Sequence, residues 1–216
     1  MTYASQQAFV YFDISDFSSK KPGVQLLTLN SLLWLLRNER FWQQKRALKG
    51  SCANRICIGD GFIFVFDRCE DAVAFAAYLA CLVEATNRYR AVEVLGDLVI
   101  HYRVGIHFDW VFHFWDDYRE GKMVKGRRNY TGSGINGGRR VLDAIGPDLD
   151  DVVFLSYEVM QQLEDPACLR CLVNKGTRKD KHQKRWRVYQ LNHIELAWGW
   201  LPTALVGDKR SLRKGR

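Results

Sequence analysis

The sequence predicts an α+β domain in which helices pack on a largely antiparallel sheet. Short apolar runs suited to strands alternate with longer segments of helical periodicity along the 216 residues. Several neighbouring strands are close enough in sequence to form hairpins, which join antiparallel strands. With 47% hydrophobic and 13% aromatic residues, the chain can bury a large core. Residues 1–202 are expected to form a single domain.

The first half of the chain supplies strands and helices in turn. Residues 8–14 form an apolar run typical of a buried strand. Pro22 can open a helix over residues 22–46, although its last third is more polar. The leucines that repeat at helical spacing in this helix are Leu26, Leu29, Leu33 and Leu36. Apolar runs at 56–58 and 62–66 flank a glycine-rich turn and predict a hairpin.

A second helix is predicted over residues 70–90, followed by strands at 101–107 and 110–115. The inward face of this helix consists of Ala72, Phe75, Ala76, Leu79, Leu82 and Val83. Residues 116–128 are polar and basic, typical of a mobile loop, and a solvated hairpin is the preferred interpretation over a segment that reaches the substrate. The cations of this segment that can reach a bound triphosphate are Lys122, Lys125, Arg127 and Arg128.

The rest of the chain predicts smaller elements around a third helix. They are a helix at 135–145, a strand at 152–155, a helix at 156–163 with Ser156 as N-cap, and a closing hairpin of 171–173 with 186–191. Residues 203–216 are basic and are expected to form a flexible tail.

Charge and hydropathy limit the classes of partner. Lys and Arg outnumber Asp and Glu by 32 to 24, so the net charge of +8 favours anionic partners such as nucleotides or nucleic acids. Nucleic-acid binding is the weaker alternative, because no basic motif interleaved with aromatic residues is present. No apolar run reaches the roughly 20 residues of a membrane span, and no signal peptide is visible. We therefore expect a soluble, cytoplasmic protein with no membrane partner.

The six cysteines are expected to be reduced thiols in such a compartment. Cys168 and Cys171 have the spacing of a metal-binding pair, and His182 is the nearest further ligand. Since a zinc site needs two additional ligands at a fitting distance, ordinary cysteines of a strand are the preferred interpretation.

Two acidic residues stand at the polar ends of apolar strands. Asp13 follows residues 9–12, and Asp60 lies in the turn of residues 59–61. If these strands are neighbours, the two carboxylates meet at one edge of the sheet, where a cation relieves their repulsion. Oxygen ligands suit Mg²⁺ or Mn²⁺, both of which leave room for phosphate oxygens. The pair predicts a metal site, and the alternative is that each acid only caps a turn.

Two turns are candidates for contact with a nucleotide. The turn after Asp13 leads into a helix N-terminus, where main-chain N–H groups can bind phosphate. Residues 132–137 spell G-x-G-x-x-G, a dinucleotide-binding pattern, but nothing around them predicts a parallel strand-helix-strand unit. Asn136 and Arg140 lie one helical turn apart and suit a ribose oxygen and a phosphate. The alternative is an exposed arginine on an ordinary helix.

Four blocks of sequence together resemble the catalytic domain of class III nucleotidyl cyclases, which form 3′,5′-cyclic nucleotides from nucleoside triphosphates. The blocks are Phe12-Asp13-Ile14 with Phe17, Ile58-Gly59-Asp60-Gly61, Val104-Gly105-Ile106-His107, and Gly132 through Asn136 to Arg140. They occur in the family's order and together span roughly residues 8–191. The resemblance implies a ferredoxin-like fold and a head-to-tail homodimer.

The resemblance also implies a role for each residue. Asp13, Asp60 and the carbonyl of Ile14 would hold two divalent metal ions, Mn²⁺ or Mg²⁺. Asn136 would orient the ribose, and Arg140 would stabilise charge at the α-phosphate. The residues implied to line the triphosphate are Phe12, Ile14, Ser15, Asp16, Phe17 and Ser18. The 3′-hydroxyl would attack the α-phosphorus in line, and pyrophosphate would leave.

The base pocket departs from that of purine-specific members of the family. Those members carry a Lys where this chain has Ile56, and an acid near the position of Asn129, Tyr130 and Thr131. Loss of such hydrogen-bonding readers weakens a purine selectivity that can reach about 10⁴. Arg55 is a further candidate for contact with a pyrimidine.

These departures, and the absence of a receptor, membrane or linker module, resemble the pyrimidine cyclases of bacterial Pycsar anti-phage defence. There a stand-alone cyclase makes cyclic UMP or cyclic CMP, and a separate effector protein binds the product. The resemblance implies a uridylate cyclase first and a cytidylate cyclase second. The residues also allow an adenylate or guanylate cyclase with an atypical base pocket, or a degenerate cyclase fold that senses nucleotides.

Overall fold

The computed structural model describes residues 3–92, 98–119, 122–146 and 148–201, and its strands form one eight-stranded sheet. The strands are β1 (Tyr3–Ile14), β2 (Cys52–Cys57), β3 (Gly61–Phe66), β4 (Tyr102–Arg119), β5 (Lys122–Thr131), β6 (Val152–Ser156), β7 (Leu172–Lys179) and β8 (Arg185–Leu191). Their order is β2-β3-β1-β4-β6-β8-β7, and β5 pairs with the outer half of β4.

The helices lie on both faces of this sheet. They are α1 (Pro22–Arg37), α2 (Glu39–Trp42), α3 (Arg46–Gly50), α4 (Cys69–Val92), α5 (Ser133–Ile145), α6 (Tyr157–Gln162), α7 (Pro166–Arg170) and α8 (His193–Ala197). Short 3₁₀ turns occur at Phe17–Ser19, Gln43–Lys45 and Trp198–Trp200. No helix in the described ranges combines the length and apolar character that a bilayer crossing requires.

The first four strands of the sheet form a ferredoxin-like core. Their spatial order is β4-β1-β3-β2, and each neighbouring pair is antiparallel. The pairing of β4 with β6 is parallel, and the pairs of β8 with β6 and β7 are antiparallel again. The predicted α+β class with a mainly antiparallel sheet is therefore confirmed.

Strand β1 separates two hydrophobic cores. Its residues Val10, Phe12 and Ile14 face the core that contains α4, whereas Phe9 and Tyr11 face the core under α5. Because side chains alternate along a strand, Asp13 must lie on the α5 side. Asp13 accordingly lies beside residues of α5, at the edge of the second core.

The helices of the first half agree with the predicted pattern only in part. All six residues predicted on the inner face of α4 are buried. Of the four leucines that repeat in α1, Leu36 is buried and Leu29 and Leu33 pack partly buried against the core, whereas Leu26 is 60% exposed. The predicted helix over 22–46 is wrong in its last part, because Asn38 adopts an extended conformation and starts a new short helix. The side chain of Asn38 accepts the N–H of Arg40 at 3.1 Å.

The predicted hairpin of 101–107 with 110–115 is wrong, because both segments belong to the single long strand β4. Asp109, expected between them, lies mid-strand opposite Gln7 of β1. The partner of the outer half of β4 is β5, so 116–128 forms part of a hairpin rather than a loop. The side chains of its four candidate cations, Lys122, Lys125, Arg127 and Arg128, lie outside the described part of the structure.

The last elements follow the prediction with one difference. The closing hairpin is present as β7 and β8. Ser156 precedes α6 as expected, but its hydroxyl does not cap the helix. It instead contacts Nδ1 of His107 at 2.9 Å. The predicted basic tail, 203–216, lies outside the described residues.

Candidate active site

Asp13 is a buried carboxylate with two arginine partners. It pairs across the sheet with Arg103 of β4, and Nη2 of that arginine donates to Oδ2 at 2.6 Å. Nη1 of Arg139, on α5, lies 3.6 Å from Oδ1. The side chain of Asp13 is only 3% exposed, so both oxygens face protein groups or the adjoining cavity rather than open solvent.

Asp60 lies beside Asp13, as the sequence predicts. Gly59 adopts a positive φ of 89°, which turns the chain between β2 and β3. The carbonyl of Asp60 accepts the N–H of Ile14 at 2.9 Å, and Gly61 is the cross-strand partner of Asp13. Burial raises the pKa of Asp13, and the nearby charge of Asp60 raises it further, against the opposing effect of Arg103 and Arg139. The two carboxylates therefore repel each other at one edge of the sheet.

This donor set fits hard divalent cations. The described residues contain no group of three His, Cys, Asp or Glu side chains able to hold a metal. A cation here would take the carboxylates of Asp13 and Asp60 and complete its coordination with other oxygens, as Mg²⁺ and Mn²⁺ do when they bind nucleotides. The raised pKa of Asp13 fits this role, because a bound cation relieves the repulsion. Cys168 and Cys171 are free thiols.

The turn after β1 presents main chain rather than side chains. The side chains of Phe12 and Ile14 are buried in the α4 core, where Phe12 stacks on Tyr102. These two residues can therefore reach a triphosphate only through their main-chain atoms. Ser15 is not available either, since its N–H donates to the carbonyl of His101 at 2.9 Å and its hydroxyl donates to Asp150.

Three N–H groups remain for a phosphate in this turn. Asp16 takes a left-handed conformation with φ 53° and ψ 22°, just before the 3₁₀ turn Phe17–Ser19. The N–H groups of Asp16, Phe17 and Ser18 donate to no acceptor within the described residues. Successive free N–H groups at a left-handed residue form a concave site for an anion. That these three residues contact the triphosphate stays a prediction, and the contact would be made by their main-chain N–H groups.

Glycines allow α5 to pack directly on the sheet. A Cβ at Gly138 would lie 2.2 Å from the ring of Tyr11, and one at Gly134 would lie 2.8 Å from Val111. The phenol of Tyr11 donates to the carbonyl of Ile135. The G-x-G-x-x-G pattern therefore serves close packing of a helix on strands. It follows β5, which pairs antiparallel to β4, and so lacks the parallel unit of a dinucleotide fold.

Asn136 and Arg140 line one cavity of about 330 Å³. Its other walls come from β4, α6 and β8, and include His107, Tyr157, Glu158, Lys184 and Trp186. Burial lowers the pKa of His107, although Glu158 and Asp109 act in the opposite direction. The amide and the guanidinium thus face the same space, as their spacing predicts.

Asp13 lines a different cavity, of about 290 Å³, on the other side of α5. Arg103, Arg139 and Asp143 also line it. Within one chain, the predicted metal-binding residues and the predicted ribose-binding residues are therefore not brought together. The arrangement is suited to a site completed by a second subunit.

The two candidate base contacts lie on opposite faces of β2. Ile56 is half-buried and packs against the core under α5, on the face of Asp13. The guanidinium of Arg55 lies over the ring of Phe62, which belongs to the α4 core. Arg55 is therefore on the wrong face for a nucleotide beside Asp13, and its suggested contact with the base is not supported.

Several residues around the site could not be recognised from the sequence. The partnership of Arg103 with Asp13 depends on strand register, which residue spacing does not reveal. Arg139 and Asp143 are one helical turn apart, a spacing that signals an ion pair, and their charged atoms lie 3.7 Å apart. Asp180, in the turn between β7 and β8, carried no recognisable signal.

The sequence matches no protein-family model and no curated protein closely enough to assign a family, but the fold matches solved structures. A bacterial light-regulated adenylyl cyclase superposes with a TM-score of 0.69 at 14% identity, over 89% of this chain and 54% of that chain. The adenylyl cyclase CyaB from P. aeruginosa gives 0.64 at 14% identity, over 88% of this chain and 95% of that chain.

A third structure is the guanylate cyclase domain of RhGC from Catenaria anguillulae in complex with GTP. It gives a TM-score of 0.61 at 15% identity, over 89% of this chain and 98% of that chain. This chain has the class III cyclase fold. It spans about half the length of the light-regulated adenylyl cyclase and nearly all of the other two chains.

Proposed function

We propose that this chain is a nucleotidyl cyclase that converts a pyrimidine nucleoside triphosphate, UTP before CTP, into its 3′,5′-cyclic monophosphate and pyrophosphate. The observation that carries the proposal is the pairing of Asp13 with Asp60 at one edge of a cyclase-fold sheet. Asn136 and Arg140, the other two residues that the resemblance assigns to the site, line one cavity on the opposite side of α5. This separation favours a head-to-tail homodimer with two composite sites.

Each residue has a chemical task in this reaction. Divalent cations held by Asp13, Asp60 and the Ile14 carbonyl would acidify the attacking hydroxyl and neutralise the triphosphate. Asn136 orients the ribose, and Arg140 donates to the α-phosphate where negative charge grows. The carboxylate of Asp13 can accept the proton of the 3′-hydroxyl.

The preference for a pyrimidine is supported by Ile56. This side chain lies on the face of Asp13 and packs against an apolar core. An isoleucine offers no hydrogen bond to the edge of a purine, whereas a Lys at this position would. The competing proposal, an adenylate or guanylate cyclase, requires other residues of the partner subunit to read the base.

A product assay with the four common nucleoside triphosphates tests the proposal. Purified protein with Mn²⁺ is expected to yield cyclic UMP as the dominant product by mass spectrometry. Asp60→Ala is expected to abolish this activity and Arg140→Ala to lower it about 100- to 1,000-fold, each leaving the far-ultraviolet circular dichroism unchanged. Dominant cyclic AMP or cyclic GMP would favour the purine alternative. Nucleotide binding without any cyclic product would favour the sensor alternative.

The composite site can be tested by mixing two variants that have each lost nearly all activity. In a head-to-tail dimer, Asp60→Ala and Arg140→Ala damage opposite halves of each site. Half of the randomly mixed dimers are heterodimers, and each has one intact site, so the mixture should regain about a quarter of the wild-type rate. If both halves came from the same chain, mixing would restore nothing.

The biological role that we propose is second-messenger signalling in anti-phage defence, with the cyclic nucleotide read by a separate effector protein. Cells that carry the gene of this protein and the gene of its effector should be protected against phage, and this protection should disappear with Asp60→Ala. Protection that survives this change, together with a normal level of the variant protein, would contradict the role.

A further inference from the structure

The guanidinium of Arg140 lies between two carboxylates. Nη1 donates to Oδ2 of Asp143 at 3.3 Å, and Nε lies 3.8 Å from Oδ2 of Asp180. Asp143 is on the next turn of α5, whereas Asp180 comes from the turn between β7 and β8. Within the described part of the chain, Nη2 has no hydrogen-bond acceptor. The two carboxylates therefore hold the guanidinium through Nη1 and Nε, and Nη2 is available to a ligand.

Asp180 is fixed more firmly than any other carboxylate near α5. Its Oδ1 accepts the N–H groups of His182 at 2.8 Å and Lys184 at 3.0 Å. Its Oδ2 accepts Nε1 of Trp186 at 3.1 Å. The side chain is only 1% exposed. With both oxygens hydrogen-bonded, this carboxylate has a single orientation, and it holds Trp186 as well as facing Arg140.

Asp180 keeps its charge in this position. Burial would by itself raise the pKa of Asp180, but the hydrogen bonds from Trp186 and the main chain, with the charge of Arg140, hold that pKa below its ordinary value. A buried carboxylate is tolerated only when it is hydrogen-bonded and paired. Its negative charge faces Nε of Arg140 from the side of the Asp13 cavity, which Asp180 itself lines.

Asp143 is a less specific partner of the arginine. It also lies 3.7 Å from Arg139 and 3.6 Å from Lys181, so its charge is divided among three cations. Asp143 and Asp180 both line the Asp13 cavity as well, and they differ in the number of cations that they contact. Asp180 contacts Arg140 alone among these cations.

We propose that Asp180 is a positioning residue, which aims Arg140 at the α-phosphate without touching the substrate. This inference rests on the proposed cyclase function and deepens it. Since the guanidinium stabilises charge only when it is correctly placed, loss of its anchor should lower the rate of the chemical step and leave substrate binding nearly intact.

The substitution Asp180→Asn tests this role, because it keeps the volume and removes the charge. We expect kcat to fall about 10- to 100-fold with KM within about twofold of wild type, since small misplacements of catalytic groups have effects of this size. The matched control is Asp165→Asn. Asp165 also accepts a main-chain N–H, that of Ala167 at 2.9 Å, but caps the distant helix α7. The substitution Asp165→Asn should leave kcat unchanged.

A double-mutant cycle separates positioning from a structural role. If Asp180 acts through Arg140, Asp180→Asn should cost nothing further in the Arg140→Ala background. The same fold-loss in both backgrounds, or a normal kcat for Asp180→Asn, would overturn the inference while the cyclase function stands. A wild-type protein that cyclises none of the four triphosphates would overturn both.

Should Asp180→Asn fail to fold, Trp186→Phe provides a second route. It removes the Nε1–H donor to Oδ2 and keeps an aromatic ring. The expected result is again a lower kcat with nearly constant KM, absent in the Arg140→Ala background. An equal loss in both backgrounds would count against the inference.

Discussion

The imidazole ring of His107 occupies the space in which a side chain on Gly137 would begin. A Cβ at residue 137 would lie 2.0 Å from Cδ2 and 2.3 Å from Nε2 of that ring. Helix α5 therefore rests on strand β4 at the turn that carries Asn136. Only glycine permits such an approach. The position of α5 on the sheet thus depends on a residue that has no side chain.

Gly137→Ala should therefore destabilise the protein despite the better helix propensity of alanine. We expect a net loss of about 1–2 kcal/mol, the overpacking cost minus up to about 1 kcal/mol of propensity. The thermal midpoint should fall by roughly 2–8 °C. Gly23→Ala in α1 is the matched control, because a Cβ there meets nothing within 4 Å. It should raise the midpoint slightly. A neutral Gly137→Ala would contradict the close packing of α5.

Metal binding should weaken at a higher pH than is usual for an aspartate site. The raised pKa of Asp13 means that protons compete with a cation from a higher pH. Without metal, the same shift adds stability below the ordinary pKa of an aspartate, and this stability is lost as the pH rises through the folded-state pKa. We expect the increase in thermal midpoint caused by a large excess of Mn²⁺ to shrink as the pH falls, and to begin shrinking at a higher pH than an ordinary aspartate would give.

Arg139→Gln provides the control for this pH dependence. The charge of Arg139 lowers the pKa of Asp13, so its removal should move the loss of Mn²⁺ stabilisation to a higher pH. Asp13→Asn should abolish the Mn²⁺ effect at every pH. An Mn²⁺ effect that persists in Asp13→Asn would show that Asp13 is not a ligand.

The neutral form of His107 should stabilise the fold. Burial lowers its pKa, so its contribution is complete above the ordinary histidine value of about 6.5 and is lost as the pH falls through the folded-state pKa. Denaturant titrations should show stability falling below pH 6.5. His107→Gln should flatten this slope, whereas His182→Gln, at an exposed position, should keep it. An unchanged slope for His107→Gln would assign the pH dependence to other groups.

The outer half of β4 carries an exposed aromatic surface consisting of Trp110, Phe112 and Phe114. These side chains are 55%, 54% and 38% exposed. Patches of this kind mark association surfaces. If the second subunit covers this surface, the double substitution Trp110→Thr with Phe112→Thr should give a monomer by light scattering and lose cyclase activity. Secondary structure should be retained, because threonine suits a strand.

Trp34→Gln serves as the control for that prediction. Trp34 is also a large exposed aromatic residue, 53% exposed, but it belongs to α1 and not to β4. Its substitution should leave the oligomeric state unchanged. A dimer that persists in the double β4 variant would place the subunit contact elsewhere.

The class and most elements of the fold could be predicted from periodicity, but the surroundings of each element could not. All six predicted inner positions of α4 are buried, yet residues 75–83 are buried without exception, because the sheet and other helices cover this helix on nearly all sides. For the region of β4 the sequence predicts two strands, because His107 and Asp109 interrupt the apolar run. In the folded chain His107 is buried against Ser156 and Asp109 borders the Asn136 cavity, so tertiary contacts accommodate both polar residues.

The candidate site could be predicted only as far as its residues were local. Asp13 and Asp60 stand at the ends of apolar strands, and Asn136 and Arg140 are one turn apart in a helix, which are local features that the sequence shows. Their partners come from elsewhere in the chain, as Asp180 does for Arg140. Such partners depend on strand register and on the packing of α5, and neither can be derived from residue spacing. The face on which Arg55 lies was missed for the same reason.

Two arginines beside Asp13 have a consequence for the order of ligand arrival. The carboxylates of Asp13 and Asp60 carry two negative charges, and the guanidiniums of Arg103 and Arg139, both close to Asp13, carry two positive ones. A free dication approaching this locally neutral edge gains little Coulomb energy, so protein stripped with a chelator should stay folded and bind Mn²⁺ weakly. The triphosphate supplies the missing negative charge, and the metal is expected to enter together with the nucleotide.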